Sequence, residues 1–253
     1  MLPLPFCQMS LRKRPLNNAL FAIGVALVLF VGGPWAYINL IRDDAPESFL
    51  DQATATTTIA VATTDTTLVP SDVTVAPAET LTDPSGAWLV AAESLVGYRV
   101  DEVLFGQNVT AVGRTNSVTG EVTVEGIQVV SASFEVDMTT ITSDEPKRDA
   151  QFASRIMDTL NFPTSTFVLD TPIALADGLG AQATTHTARG TLTLRGTSKP
   201  VDVTVVSTLR NGQVVVAGEI EIVFAEWGIP NPSIPGISTE DRGILEFNLV
   251  LER

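Results

Sequence analysis

The side chains able to do chemistry are few and scattered. Arg148 and Asp149 stand side by side, Asp144, Glu145 and Asp158 surround them, His186 is the only histidine and Cys7 the only cysteine. A guanidinium next to a carboxylate serves either anion binding and proton transfer or the tethering of one element to another. One histidine leaves little from which to build a His-ligated metal cluster or a His-based nucleophile triad. One cysteine permits neither an intrachain disulfide nor a thiolate metal site. No G-x-S-x-G elbow, P-loop or G-x-G-x-x-G turn occurs. Catalytic residues and metal ligands are expected to be absent, no cofactor is implied, and binding is the chemistry that remains.

The Arg-Asp pair must be positioned by the stretch Ser143–Leu169, where apolar spacing switches from a period of two to that of a helix. Phe152, Ala153, Ile156, Met157 and Leu160 share one predicted face, and Lys147, Arg148, Gln151, Arg155 and Asp158 take the other. Ser143 or Asp144 can cap this helix, Pro146 suits its first turn and Pro163 ends it. Adjacent positions on a short helix make Arg148 and Asp149 read as ties to strand ends. The acidic residues around them read as a solvated face and a favourable negative first turn. His186 reads as a packed or rim residue.

Strands occupy the rest of the C-terminal two-thirds. Val96, Tyr98 and Val100 alternate with polar residues, as do Val130, Ala132, Phe134, Val136 and Met138. Thr110–Arg114 and Gly120–Val124 are short predicted strands, Ser165–Leu169 carries Phe167, and Thr184–Arg195 sets His186, Ala188, Leu192 and Leu194 opposite polar positions. Val201–Leu209 and Val214–Phe224 flank Asn211-Gly212, a pair suited to a type I′ hairpin turn. Asp177–Gln182 is a predicted loop, and so is Glu226–Pro235. Leu245, Phe247, Leu249 and Leu251 face one way in the last strand. About eight antiparallel strands with one crossover helix predict an all-β closed barrel, with a sandwich as the alternative. Its inward sets carry no compensating charge, so a ligand held there would be largely hydrocarbon.

Formal charge over the 253 residues is −14, which repels phosphate backbones and argues against nucleic acid as a partner. From Ala19 to Ile41 no residue is charged, and about 23 residues of helix span roughly 35 Å, enough for a bilayer core. Arg12, Lys13 and Arg14 precede this run, and Asp43 and Asp44 follow Arg42. The positive-inside bias then assigns residues 1–18 to the cytoplasm, 19–41 to a signal anchor and the rest to the outside. A cleaved signal peptide and a secreted product is the alternative. Residues 42–85, rich in Thr, Ala and Pro, read as a flexible linker, and 86–253 as the folded domain. Oligomeric state stays open, a homodimer included.

From Trp88 to Leu251 the residues resemble the YceI-like lipid/polyisoprenoid-binding family. The resemblance rests on Trp88 followed by Ser94-Leu95-Val96-Gly97-Tyr98-Arg99-Val100, on Val118-Thr119-Gly120, on Arg148-Asp149, and on Phe162-Pro163 with Phe167. Gly190 to Val201 and Trp227-Gly228-Ile229 complete it. It implies a lipocalin-like extended barrel in an exported, non-catalytic protein that holds a long isoprenoid or acyl chain. The family often carries histidines where Glu102 and Gln151 stand here. The positions expected to line a lipid pore are Val96, Tyr98, Val100, Phe134, Val136, Met138, Phe167, Phe224, Trp227 and Phe247, although core packing explains most of the aromatic ones equally well. The expected function is extracytoplasmic binding or carriage of a polyisoprenoid, isoprenoid quinone or fatty amide. The alternative is an envelope interaction module whose barrel is filled by its own side chains.

Overall fold

The computed structural model describes Ala36 and residues 45–58, 80–175 and 179–253. The cytoplasmic segment, the expected span apart from Ala36, and residues 59–79 of the expected linker lie outside the described residues. Among the described residues no helix is long and apolar enough to cross a membrane.

Ten strands build the barrel and part of its outer layer: β1 (Gly86–Val90), β2 (Leu95–Leu104), β3 (Gln107–Thr115), β4 (Val118–Glu125) and β5 (Gln128–Asp137), then β6 (Thr164–Leu169), β7 (Thr184–Leu194), β8 (Thr197–Arg210), β9 (Gln213–Val223) and β10 (Arg242–Glu252). Antiparallel neighbours run β9-β8-β7-β6-β5-β4-β1-β10, and β9 pairs back onto β10. The eight strands of that ring form the expected closed barrel, which leaves no edge within the ring, and β2 and β3 branch from it at β10. Asn211 and Gly212 take φ of 51° and 78° and make the predicted tight turn between β8 and β9. Arg195 and Gly196, with φ of 49° and 71°, turn β7 into β8 in the same way.

Strand β10 serves two partners on one side. Ile244–Asn248 pairs with β2, whereas Leu251 and Glu252 pair with β1. Ser94 bridges the switch: its hydroxyl accepts from Val250 N at 2.9 Å and lies 3.2 Å from Val250 O. A fully buried serine at this place satisfies backbone groups that neither strand reaches.

Three expectations change. The helix α2 covers only Pro146–Gln151 and continues as a π-helical turn, Phe152–Ile156. Its cap is Glu145, whose carboxylate accepts from Lys147 N at 3.3 Å, not Ser143 or Asp144. Met157 N bonds to Phe152 O and Thr159 N to Ala153 O, wider turns that break the helical period, and Asp158 at φ 51° reverses the chain. Leu160 is therefore 91% exposed, off the buried face it was assigned to. In β5, Thr123 opposes Ser131 while Val124 opposes Val129, a bulge that brings Val129 rather than Val130 against the core. The predicted loop after Asp177 contains Leu179–Gly180, paired with Thr80–Leu81.

The expected linker also contributes structure. Helix α1 (Phe49–Thr58) follows Ser48, whose hydroxyl accepts from Asp51 N at 3.1 Å as an N-cap. Its start is held by a buried ion cluster on the barrel's outer wall. Arg114 on β3 reaches Glu246 on β10 at 2.8 Å, and Arg99 on β2 lies 3.6 Å from the same carboxylate. The Arg114 side chain crosses β2 at Gly97, where a β-carbon would lie 2.8 Å from Arg114 Cγ and 2.2 Å from Gly113 O. The two guanidiniums also donate to chain carbonyls, Arg99 to Pro46 O at 2.6 Å and Arg114 to Glu47 O at 2.9 Å. Phe49 then lies under Arg114, 4.0 Å from guanidinium carbon to ring centroid. A flexible tether does not describe Ala45–Thr58, because this cluster supplies partners that composition alone does not reveal.

Glu246 has no exposed side-chain surface. Arg114→Ala removes its shortest partner and leaves the carboxylate under-compensated in the wall, a loss of about 3 kcal/mol or more. Urea unfolding of the full chain is expected to show that loss, and limited proteolysis is expected to show faster cleavage within 45–58. A stability change below about 1 kcal/mol would place the cluster among weak surface pairs.

Candidate lipid-binding lumen

Register decides which side chains enter the barrel. Val214, Val216, Gly218 and Ile220 on β9 oppose Leu251, Leu249, Phe247 and Leu245 on β10, and Ser207 and Val205 on β8 oppose Val216 and Gly218. Buried apolar residues gather into two groups. Near the Asn211-Gly212 turn, Trp88, Leu209, Val214 and Leu251 form one plug, with Trp88 Nε1 donating to Pro84 O at 2.9 Å. Near the Arg195-Gly196 turn, Met138, Phe152, Met157, Leu194, Trp227 and Ile229 form the other. Val136, Leu169, Val216, Leu245 and Phe247 pack against both plugs, and all five are only half-buried. They form a belt between the plugs. Side chains aimed into a closed ring keep accessible surface only where no protein atom covers them, so the belt surrounds a lumen.

Glycines keep that lumen open. A β-carbon at Gly190 would lie 2.3 Å from Phe167 Cζ, at Gly218 2.5 Å from Phe247 Cζ, and at Gly120 2.5 Å from Phe134 Cδ1. Each ring therefore lies across a glycine of the neighbouring strand. Tyr98 does the same over Gly113, where the distance is 2.4 Å to Cε1, and its other face stacks on Phe152 with centroids 5.1 Å apart. Aromatic area is thus laid along the wall instead of across the bore.

The polar residues around the helical end bond to one another and to strand ends. Asp149 accepts from Ser143 N at 2.9 Å and Ser143 Oγ at 2.6 Å, and Arg148 pairs with Asp144 and, at 3.8 Å, with Glu102 on β2. The Arg148-Asp149 pair ties α2 to strand ends, as its placement in the sequence implied. At the two positions where the family resemblance implies histidines, Glu102 pairs with Arg148 and Gln151 faces Arg155 at 3.4 Å. Burial, more than the neighbouring Asp149, Glu102 and Asp144, pushes the Tyr98 phenol upward against the opposing pull of Arg148, so it is neutral at physiological pH. Lys199 faces Glu226 at 3.1 Å and lies 5.4 Å from the Trp227 ring centroid.

The structure divides the ten expected pore residues. Tyr98, Val100, Phe134, Val136, Phe167 and Phe247 are half-buried, whereas Val96, Met138, Phe224 and Trp227 are buried in the plugs by protein neighbours. Val216, Leu169 and Leu245 join the belt without having been singled out. Counting outward from the Asn211-Gly212 turn would have placed Val216 inside, because hairpin register follows turn length. His186 is half-buried and opposes Val205 from β7.

Comparison with known proteins bears on the same residues. The sequence profile of the YceI-like domain matches residues 88–251. Among solved structures, a polyisoprenoid-binding domain from Saccharophagus degradans, implicated in plant cell wall breakdown, aligns at 16% identity and a TM-score of 0.54, over 66% of this chain and 97% of that one. BcnA of Burkholderia cenocepacia aligns at 20% identity and a TM-score of 0.47, over 60% and 95% of the respective chains. Among curated proteins no sequence match is found.

Gly218→Ala tests the tiling. The added methyl group displaces the Phe247 ring from the wall, at a cost of about 1–3 kcal/mol for local overpacking. A crystal structure of the variant is expected to show Phe247 rotated into the lumen with the β9–β10 ladder intact; an unmoved ring would show that the strands give way instead.

Proposed function

This chain belongs to the YceI-like domain family, and from that membership we propose that its barrel binds one long-chain lipid, a polyisoprenoid, isoprenoid quinone or fatty amide, with the hydrocarbon lying along the belt between the plugs. The observation that carries this reading is the half-buried apolar belt inside a closed ring. Transfer of hydrocarbon into such a space contributes about 0.8 kcal/mol per buried methylene, so a long chain binds usefully with few polar contacts. The Saccharophagus degradans domain, described as polyisoprenoid-binding, supports the ligand class. The chemistry is uptake and shielding of a lipid, with no bond made or broken.

We place this activity outside the cytoplasm. Ala19–Ile41 anchors the chain, the basic residues before it stay inside, and the barrel shields or carries its lipid along the envelope. The rival reading, an envelope module with a filled barrel, is disfavoured by surface left uncovered on Val216, Leu245 and Phe247.

Native mass spectrometry of the purified full chain, followed by organic extraction, is expected to yield one long-chain lipid per protein. Val216→Phe combined with Leu245→Phe narrows the belt and is expected to abolish that adduct while circular dichroism stays that of a β-barrel. A wild-type protein that carries no lipid and takes up neither polyprenol nor quinone on incubation would favour the interaction module.

A further inference from the structure

The lumen wall is apolar at belt level except along one strip. Ser207 lies on β8 between Val205, which belongs to one plug, and Leu209, which belongs to the other. It opposes Val216 of the belt on β9 and Thr184 on β7. Its side chain therefore points inward at the height of the belt, and its hydroxyl lies just beneath the lumen surface, covered by neighbouring side chains. The residue is 6% exposed, and its Oγ is buried without a hydrogen-bond partner. A hydroxyl left unsatisfied in a buried site loses its hydration with nothing in return, and a serine's small packing area does not offset that. Alanine or valine would suit the fold alone better.

Charge is kept away from this position. Lys199 is the cation on the same inward face of β8, eight residues along the strand and thus roughly 26 Å distant, and it is engaged by Glu226. His186, opposite Val205 on β7, shares the inward face and is the titratable group nearest Ser207, but no lysine or arginine of β7, β8 or β9 points to this position. An anionic headgroup brought there would be stripped of water with no lysine or arginine to receive it, which is costly in an apolar site. A neutral headgroup needs only one hydrogen bond.

Resting on the lipid-binding reading above, we propose that Ser207 is the polar contact for the ligand's headgroup, and that the ligand accordingly ends in a neutral hydrogen-bonding group, an alcohol, amide or quinone carbonyl, instead of a phosphate or carboxylate. The headgroup lies at the β8–β9 wall, and the hydrocarbon runs from there along the rings of Phe247, Phe134 and Phe167.

The test compares three probes on the full chain and on Ser207→Ala: geranylgeraniol, the hydrocarbon of the same carbon skeleton, and geranylgeranyl diphosphate. Binding is read by tryptophan fluorescence and confirmed by native mass spectrometry. Wild type is expected to prefer the alcohol over the hydrocarbon by about fivefold to tenfold, the worth of one net hydrogen bond, and to bind the diphosphate more weakly than the alcohol. Ser207→Ala removes an unsatisfied hydroxyl and so is expected to fold at least as stably, to keep the hydrocarbon affinity and to lose the preference. A preference that survives in Ser207→Ala, or a diphosphate that binds more tightly than the alcohol, would overturn the assignment. If wild type binds neither alcohol nor hydrocarbon, the lumen reading itself fails and this assignment falls with it.

Discussion

Ten residue pairs join β9 to β10, from Val214–Leu251 to Val223–Arg242, and this ladder closes the ring of eight strands, with β2 and β3 branching from β10. Closure forces a choice about the interior. Eight strands enclose a space that ordinary side chains can just fill. This chain fills its two ends with large buried residues and sets glycines beneath the rings between them. The capacity to bind thus follows from how closure is reconciled with packing.

The same strand that lines the lumen also holds the outer wall. Leu245 and Phe247 point inward from β10, and Glu246 between them points outward into the Arg99–Arg114 cluster. A strand has only two faces, so β10 carries the belt on one and the anchorage of Ala45–Thr58 on the other. Gly97 serves the outer face by clearing the path of Arg114, and Gly218 serves the inner face by clearing the place of Phe247. Glycine within a strand ordinarily weakens it; here each absent side chain is replaced by a neighbour's.

Alternation predicted an all-β fold with a closed barrel favoured over a sandwich, since Val96-Tyr98-Val100, Phe134-Val136 and Leu245-Phe247-Leu249 each state a face and Asn211-Gly212 states a turn, and the family resemblance pointed to the barrel. The helix was legible in position but not in length, because hydrophobic spacing says nothing of the wide turns at Phe152–Ile156 or of the left-handed Asp158. The bulge opposite Thr123 exchanged Val130 for Val129 for a similar reason: one inserted residue changes no composition. The pore was half legible. Sequence identifies inward residues, yet whether Met138 closes the barrel or Phe247 lines it depends on height along the axis, which is set by register among strands far apart in the chain. Ser207 was hidden altogether, since a serine in a Val- and Thr-rich strand looks like any other polar position.

Each ring laid over a glycine binds the two positions into one heritable unit. An ancestor of this chain that gained a β-carbon at Gly190 would have had to surrender the ring of Phe167 in the same step or lose its bore, and the same holds for Gly218 with Phe247 and Gly120 with Phe134. Descendants should therefore change lumen diameter in jumps, ring and glycine together, so that lineages adapted to slender and to bulky lipids differ by paired substitutions across adjacent strands instead of by gradual trimming of single side chains.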